Sequence, residues 1–316
     1  MAGHAADASP RSLAAYLAFV AIISAALIVG ALALGARGTY LAGLYMFGPA
    51  LAAIAARALV RPPGFRGAGL RPGRLRPYVA FWLFGIAVVA ANVVAIQLAG
   101  ALHWDLRGDA ALAQIDRLAE LSGQPMPAPP AGLSPRDMLV LFTLGGLTVL
   151  DLMPGLLTGF GEEFGWRGLM FPALYRVRPW IAVVFGGLVW YAWHLPLLLV
   201  VPATADAGAT PPALAIARVV ALGCGAIATH TLFAYAYARA GSIWVPALLH
   251  GTIDNASRAA GYWVAVTDQA VADIALAVSM VAVVGVLLVS GELRVIEKFF
   301  RRPALVVAAP VETGLT

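Results

Sequence analysis

About eight separate stretches of this chain are long enough and apolar enough for a helix that must cross roughly 30 Å of hydrocarbon, which takes about 20 residues. They are Ser12–Ala36, Leu41–Val60, Tyr78–Leu102, Met138–Leu157, Trp180–Val201, Pro212–Ala238, Ile243–Val264 and Val271–Val289. In hydrocarbon every backbone N–H and C=O must be satisfied internally, so helices are the expected form of such runs. Composition agrees. The chain is 61% hydrophobic and 12% charged, with mean hydropathy +0.85. A soluble domain carries about 25% charged residues, and a globule of this size could not hide so much apolar surface from water. The expected fold is therefore all-α, a polytopic transmembrane bundle of about eight helices. The last two runs could also form one broken or re-entrant unit. The first run exceeds the about 7–15 residues of a signal-peptide core, so it is read as a retained helix.

Charge sets the orientation. The net charge is +5 and nearly all of it is arginine, Lys298 being the lysine of the sequence. Most of the arginines sit in short loops between apolar runs, the pattern of a cytoplasmic membrane face rather than of a nucleic-acid surface; Arg37, Arg107, Arg117 and Arg136 are the exceptions, on the outer side. Arg61, Arg66, Arg71, Arg74 and Arg76 place the second connection inside. Eight crossings then put both termini in the cytoplasm and the loop from His103 to Arg136 outside, with an amphipathic helix expected near Ala110–Leu121. Three regions follow: 1–136, the N-terminal helices and outer loop; 137–291, a catalytic-type core; and 292–316, a cytoplasmic tail expected to be disordered from Arg301 onward. Cys224 is the lone cysteine, so no intrachain disulfide or multi-cysteine zinc site exists; it is read as a packing residue.

Ionisable groups at membrane depth are costly and mark functional sites by default. Arg57 apart, they concentrate in the second half. Glu162 and Glu163 are adjacent carboxylates in an apolar setting; they cannot both ionise cheaply, which makes one a candidate acid or base. Glu163 and Arg167 are four apart and share a helix face, so the arginine can hold Glu163 and leave Glu162, about 100° away, free to act. His194 follows Trp190 by one turn, and Pro196 should kink or end that helix. His250 and Asp254 also share a face, with Asn255 beside them. Singly, each has an ordinary structural reading: an interfacial helix start, a packed histidine, an interhelical hydrogen bond. Together, on three helices, they can converge as bundle sites do. Such a set activates water: Glu162 as base, His194 orienting, His250 with Asp254 or Asn255 stabilising an oxyanion. Equally, Glu162, His194 and His250 could form a tripod for zinc; the residues leave metal-free and zinc-dependent chemistry open.

These motifs, in this order, resemble the CAAX-protease and bacteriocin-processing (CPBP) family of intramembrane proteases, which includes the Ras-converting CAAX endopeptidases. The pattern is Glu-Glu-x-x-x-Arg, aromatic-x-x-x-His and His-x-x-x-Asn or Asp. It is met here by Glu162, Glu163 and Arg167, by Trp190 and His194, and by His250 and Asp254, over about Met138 to Val289. Trp190 stands where phenylalanine is usual, and Asp254 where the endopeptidases have asparagine. An ionised aspartate repels an oxyanion, so Asp254 is expected to be protonated, to bind metal, or to orient His250. The resemblance implies proteolysis of a membrane-associated protein or peptide by an integral protein of a bacterial inner or plasma membrane. The competing expectation is a non-catalytic immunity protein, scaffold or transporter using the same polar cluster. No His-Glu-x-x-His or Gly-x-Ser-x-Gly motif occurs. Gly155, Gly159, Gly161 and Gly165 read as close helix packing beside the site. Asp151 is read as facing the cavity or capping a local irregularity, His230 as packing or support, and Arg218 as snorkelling to the interface. Asp254 and Arg258 are a candidate ion pair.

Overall fold

The computed structural model describes residues 10–35, 39–60, 65, 67–122, 128–199 and 211–301. The described chain is helical along most of its length. It runs α1 (Pro10–Leu34), α2 (Thr39–Tyr45), α3 (Gly48–Leu59), α4 (Leu75–Leu98), strand β1 (Leu102–Trp104), α5 (Asp109–Ser122), α6 (Pro135–Leu147) and α7 (Val149–Gly165). A π-turn at Trp166–Met170 leads into α8 (Phe171–Val177). A second π-turn at Ile181–Phe185 leads into α9 (Gly186–His194), which ends in a 3₁₀ turn at Leu195–Leu199. α10 (Pro212–Ala240), α11 (Trp244–Gly261), strand β2 (Val264–Val266), α12 (Gln269–Val289) and α13 (Arg294–Phe300) complete it.

Among the described residues four helices, α1, α4, α10 and α12, are long and apolar enough to cross a membrane. The other four expected spans exist as apolar segments, but they are interrupted or more polar. Leu41–Val60 is divided by the turn at Met46–Phe47, just before Pro49 in the first turn of α3. Met138–Leu157 is divided where Thr148 turns extended (φ −121°, ψ −178°). Trp180–Val201 begins in a π-turn and ends in the 3₁₀ turn holding Pro196, as a proline without its N–H requires. α11 is unbroken but carries His250, Asp254 and Arg258. It is followed by β2 and then α12, so the last two segments are separate helices.

The connections gather at two ends. At one end Arg57 of α3 reaches Gly168, Trp244 Nε1 donates to the Leu70 carbonyl, and Tyr78 Oη to that of Pro72. α13 docks there too, setting Phe300 against Phe171, Tyr175 and Tyr237. At the opposite end β1 pairs antiparallel with β2, Leu102 opposite Val266, tying the end of α4 to the α11–α12 connection. α5 lies at that end, close to the amphipathic helix expected from sequence, and Asp105 caps it by accepting from the Ala110 and Gly108 N–H groups at 2.7 and 3.1 Å.

Three expectations are corrected. Arg218 does not simply snorkel; it pairs with Asp273 of α12 at 2.6 Å, because α10 and α12 lie side by side. Cys224 is exposed rather than packed. The segment from Glu292 to Phe300, expected as tail, is partly a docked helix, because Phe299 and Phe300 find aromatic partners on the bundle. Residues 302–316 lie outside the described residues, as does the Asp151 side chain.

Candidate active site

The site is built where α7 and α11 cross, and glycine makes the crossing possible. A Cβ at Gly159 would overlap the Ala247 carbonyl, and one at Gly251 would overlap the Gly155 backbone. Two of the expected glycines thus face α11, while Gly161 and Gly165 face the other way. Gly161 lies on the Met46 carbonyl and Gly165 on the Pro49 carbonyl and Tyr16. Backbones in such contact bring Glu162 and Glu163, at the end of α7, against His250 in the second turn of α11. Both glutamates are 0% exposed.

Glu163 takes the role expected from its spacing. Its Oε1 receives Arg167 Nη1 at 2.9 Å and lies 3.1 Å from His250 Nδ1. Arg167 is itself buried, and its Nη2 donates to the His230 carbonyl and to His230 Nδ1, both at 3.0 Å. The guanidinium also lies 5.0 Å above the Phe233 ring, which stacks on His250 at 4.7 Å.

Glu162 is held by one oxygen and open at the other. Its Oε2 accepts from Trp190 Nε1 at 2.8 Å and Trp166 Nε1 at 3.2 Å. Its Oε1 is buried with no hydrogen-bond partner among the described residues. It faces His194 Nε2 and His250 Nε2, each at 3.8 Å. The other nitrogens decide what these rings present. His194 Nδ1 is 2.8 Å from the Trp190 carbonyl, which can only accept, so Nδ1 carries a proton and neutral His194 offers a bare Nε2. His250 Nδ1 likewise donates to Glu163, directing its Nε2 at Glu162 Oε1.

Asp254 stands at the rim, 44% exposed, with Oδ2 3.7 Å from His250 Nε2. His194, at 31%, is the other partly exposed member, so the cluster opens between α9 and α11. Asn255 points elsewhere. It packs on Gly155 and lines a small cleft with Trp82, Thr148 and Thr252, and Arg258 donates to its Oδ1 at 3.4 Å. Of the residues singled out from sequence, the structure joins Glu162, Glu163, Arg167, Trp190, His194, His250 and Asp254, and sets Asn255 apart.

Several supports were not foreseen. Trp166 binds the catalytic candidate, and its four-residue spacing from Glu162 was a readable signal. Arg57 donates to the Gly168 carbonyl at 2.6 Å, an oxygen that residue 172, a proline without N–H, cannot reach in helical fashion. Tyr45 and Ser24 brace Trp193, next to His194. The Tyr45 hydroxyl donates to the Trp193 carbonyl at 2.6 Å, and Trp193 Nε1 donates to Ser24 Oγ at 2.8 Å. The N-terminal helices, which carry no motif, therefore hold the motif helices in place.

The donor set is spaced more widely than a zinc shell. Ligands 2.0–2.2 Å from a tetrahedral zinc sit about 3.3–3.5 Å apart. The two imidazole nitrogens stand 3.8 Å from Glu162 Oε1, wider than that shell. Among the described residues no group of three His, Cys, Asp or Glu side chains is spaced to hold a metal ion. A water at about 2.8 Å from both members of each pair fits the same gap without movement.

Residues 144–256, just over a third of the chain, match the family model described as type II CAAX prenyl endopeptidase Rce1-like. This segment is similar to the Rce1-like family. It contains each of the motif residues from Glu162 to Asp254, so the resemblance read from the motifs holds, and with it protease character at the level of the family. The Rce1-like segment runs from α6 into α11 and so includes α10, which carries none of those motifs. No curated protein matches the chain.

Proposed function

We propose that the chain is an intramembrane endopeptidase of the CAAX-processing type in which Glu162 Oε1 activates the attacking water. One observation carries this reading. A buried glutamate has one oxygen tied by two indoles while the other is unpartnered and faces two imidazole nitrogens at 3.8 Å. The water would donate one O–H to Glu162 Oε1 and the other to His194 Nε2. Glu162 takes the proton as the water oxygen bonds to the scissile carbonyl carbon, and returns it to the leaving nitrogen when the C–N bond breaks. His250, when it carries a second proton, is the group placed to donate to the oxyanion. Asp254, 3.7 Å from the same nitrogen, acts through its charge beside that ring rather than by touching the oxyanion. Zinc on Glu162, His194 and His250 is the alternative, and the spacing favours it less.

The test is cleavage of a farnesylated C-terminal peptide, a membrane-associated substrate class the family implies, by the protein in detergent micelles. Glu162→Gln should lower kcat by about 10²–10⁴-fold, the usual worth of a general base, with unchanged melting. Activity that survives a strong chelator supports the water reading, while loss restored by zinc establishes the metal one. If Glu162→Gln cleaves like wild type, the catalytic assignment falls. Should the wild type not cleave, and an immunity phenotype survive Glu162→Gln, the scaffold reading replaces it.

We further propose that all eight apolar segments cross, the broken ones included. At one end stand Arg57, Arg74, Arg76, Arg176, Arg178, Arg239, Arg294 and Lys298, with Glu292 and Glu297; the other holds Asp105, Asp109, Asp116, Glu120, Asp137 and Asp268, with Arg107, Arg117 and Arg136, so the basic excess lies at the first. The basic end is then cytoplasmic. Glu162 and His250 lie nearer that end, so substrate would be presented from the inner leaflet.

A further inference from the structure

α10 carries none of the motif residues, yet two of its side chains sit inside the catalytic network. His230 is fully buried. A polar ring at that depth of an apolar helix is costly without a partner that repays it. Its partner is Arg167, whose Nη2 reaches both the His230 carbonyl and Nδ1 at 3.0 Å. An arginine has no acceptor, so Nδ1 is the accepting nitrogen and the ring proton is on Nε2. Nε2 packs against α9, where a Cβ at Gly186 would come within 2.7 Å of it, and has no hydrogen-bond partner among the described residues, so the ring's side-chain hydrogen bond is the one at Nδ1. One turn later on the same face, Phe233 lies under the Arg167 guanidinium and stacks on His250. A continuous chain results, from His230 through Arg167 and Glu163 to His250, with links of 3.0, 2.9 and 3.1 Å.

We propose that His230 is a positioning residue for the reaction: as the acceptor that fixes Arg167, it sets Glu163 and thereby the orientation of His250. The proposal rests on the reading of Glu162 and His250 given above. Without Nδ1, Arg167 keeps one acceptor instead of two on Nη2, and the carboxylate it carries is free to swing.

Three variants separate this from space-filling. Asparagine at 230 places an acceptor near the Nδ1 position, glutamine places one near Nε2, and leucine fills the volume with no acceptor. On the farnesylated peptide, His230→Leu and His230→Gln should each lose about 10–100-fold in kcat, with KM within about twofold, and His230→Asn should stay close to wild type. Space-filling predicts the reverse order, with leucine best tolerated, and that result overturns the proposal. If His230→Leu fails to fold, the asparagine–glutamine pair carries the same contrast, and equal activities overturn it. A second readout needs no turnover. The chain has 5 histidines, so 15N-histidine spectra can be assigned by single substitutions. The His250 Nδ1 signal should move in His230→Gln and not in His230→Asn. If the wild type cleaves nothing, the catalytic reading falls and this spectrum alone judges the network; an unmoved His250 signal in His230→Gln rejects the positioning role.

Discussion

At the scale of single residues, the division of labour between the two oxygens of Glu162 organises the site. Two indoles fix Oε2 and so aim Oε1. Phenylalanine, the usual family residue at the position of Trp190, fills that space but cannot donate. Trp190→Phe should therefore preserve folding while releasing Oε2 from its shorter bond of 2.8 Å. A hydrogen bond to a charged group contributes about 1.5–3 kcal/mol. Only part of that is expressed in the transition state, so kcat should fall about tenfold. Trp166→Phe, losing the longer bond of 3.2 Å, should cost less. Steady-state kinetics beside a melting curve check both; a change in melting with unchanged kcat would make the indoles structural.

At the scale of elements, the α7–α11 crossing is set by glycine. Gly159→Ala puts a methyl into the Ala247 carbonyl and must push the helices apart at the point where Glu163 meets His250. Overpacking of this kind costs about 1–3 kcal/mol, and activity should fall further than stability. Gly145→Ala in α6, where a Cβ meets nothing within 4 Å, is the matched control and should melt like wild type. The cap of α5 gives a pH dependence. The Ala110 N–H, and after it those of Arg107 and Gly108, hold the Asp105 carboxyl below the usual carboxylate range. A depressed native value means that this contribution is complete above the unfolded carboxylate value of about 3.9 and fades as pH falls through the native one. Protection against amide exchange at Ala110 and the first turn of α5, taken relative to the intrinsic rate at each pH, should therefore fall on acidification below about pH 4. Asp105→Asn should remove that dependence, and a variant with unchanged acid sensitivity would rule out the cap as its origin.

At the scale of the whole molecule, the question is how many segments cross. With Cys224 replaced by alanine, single cysteines at Arg74 and Arg294 report it directly. Eight crossings put both on one side and Gly132 on the other. If only the four long apolar helices cross, Arg74 and Arg294 fall on opposite sides. Labelling by an impermeant thiol reagent in oriented vesicles distinguishes the two, and opposite labelling rejects the eight-span topology. Docking of α13 also belongs to this scale. Phe300→Ala removes the ring packed on Phe171, Tyr175 and Tyr237. It should cost about 3–5 kcal/mol if the site does not collapse, read as a lower melting temperature.

What the sequence determined by itself was local or compositional. Apolar runs of membrane length required helices, because unsatisfied backbone groups cannot be left in hydrocarbon. The four-residue spacing joined Glu163 to Arg167, since positions i and i+4 share a helix face wherever the helix lies; Glu162 and Trp166 obey the same rule. The ordered motifs placed the Rce1-like segment. Tertiary structure decided everything that depends on how one helix is rotated against another. Asp254 and Asn255 are about 100° apart on α11, and only the packing of α11 on α7 turns Asp254 toward His250 and Asn255 toward Gly155. Trp190 and Glu162 are 28 residues apart, and His230 and Arg167 are 63 apart. Those bonds form only because the bundle sets α9 against α7 and α10 against the π-turn after α7. A linear pattern of polarity reports which face of a helix is apolar, but it does not carry the depth and rotation at which two such faces meet.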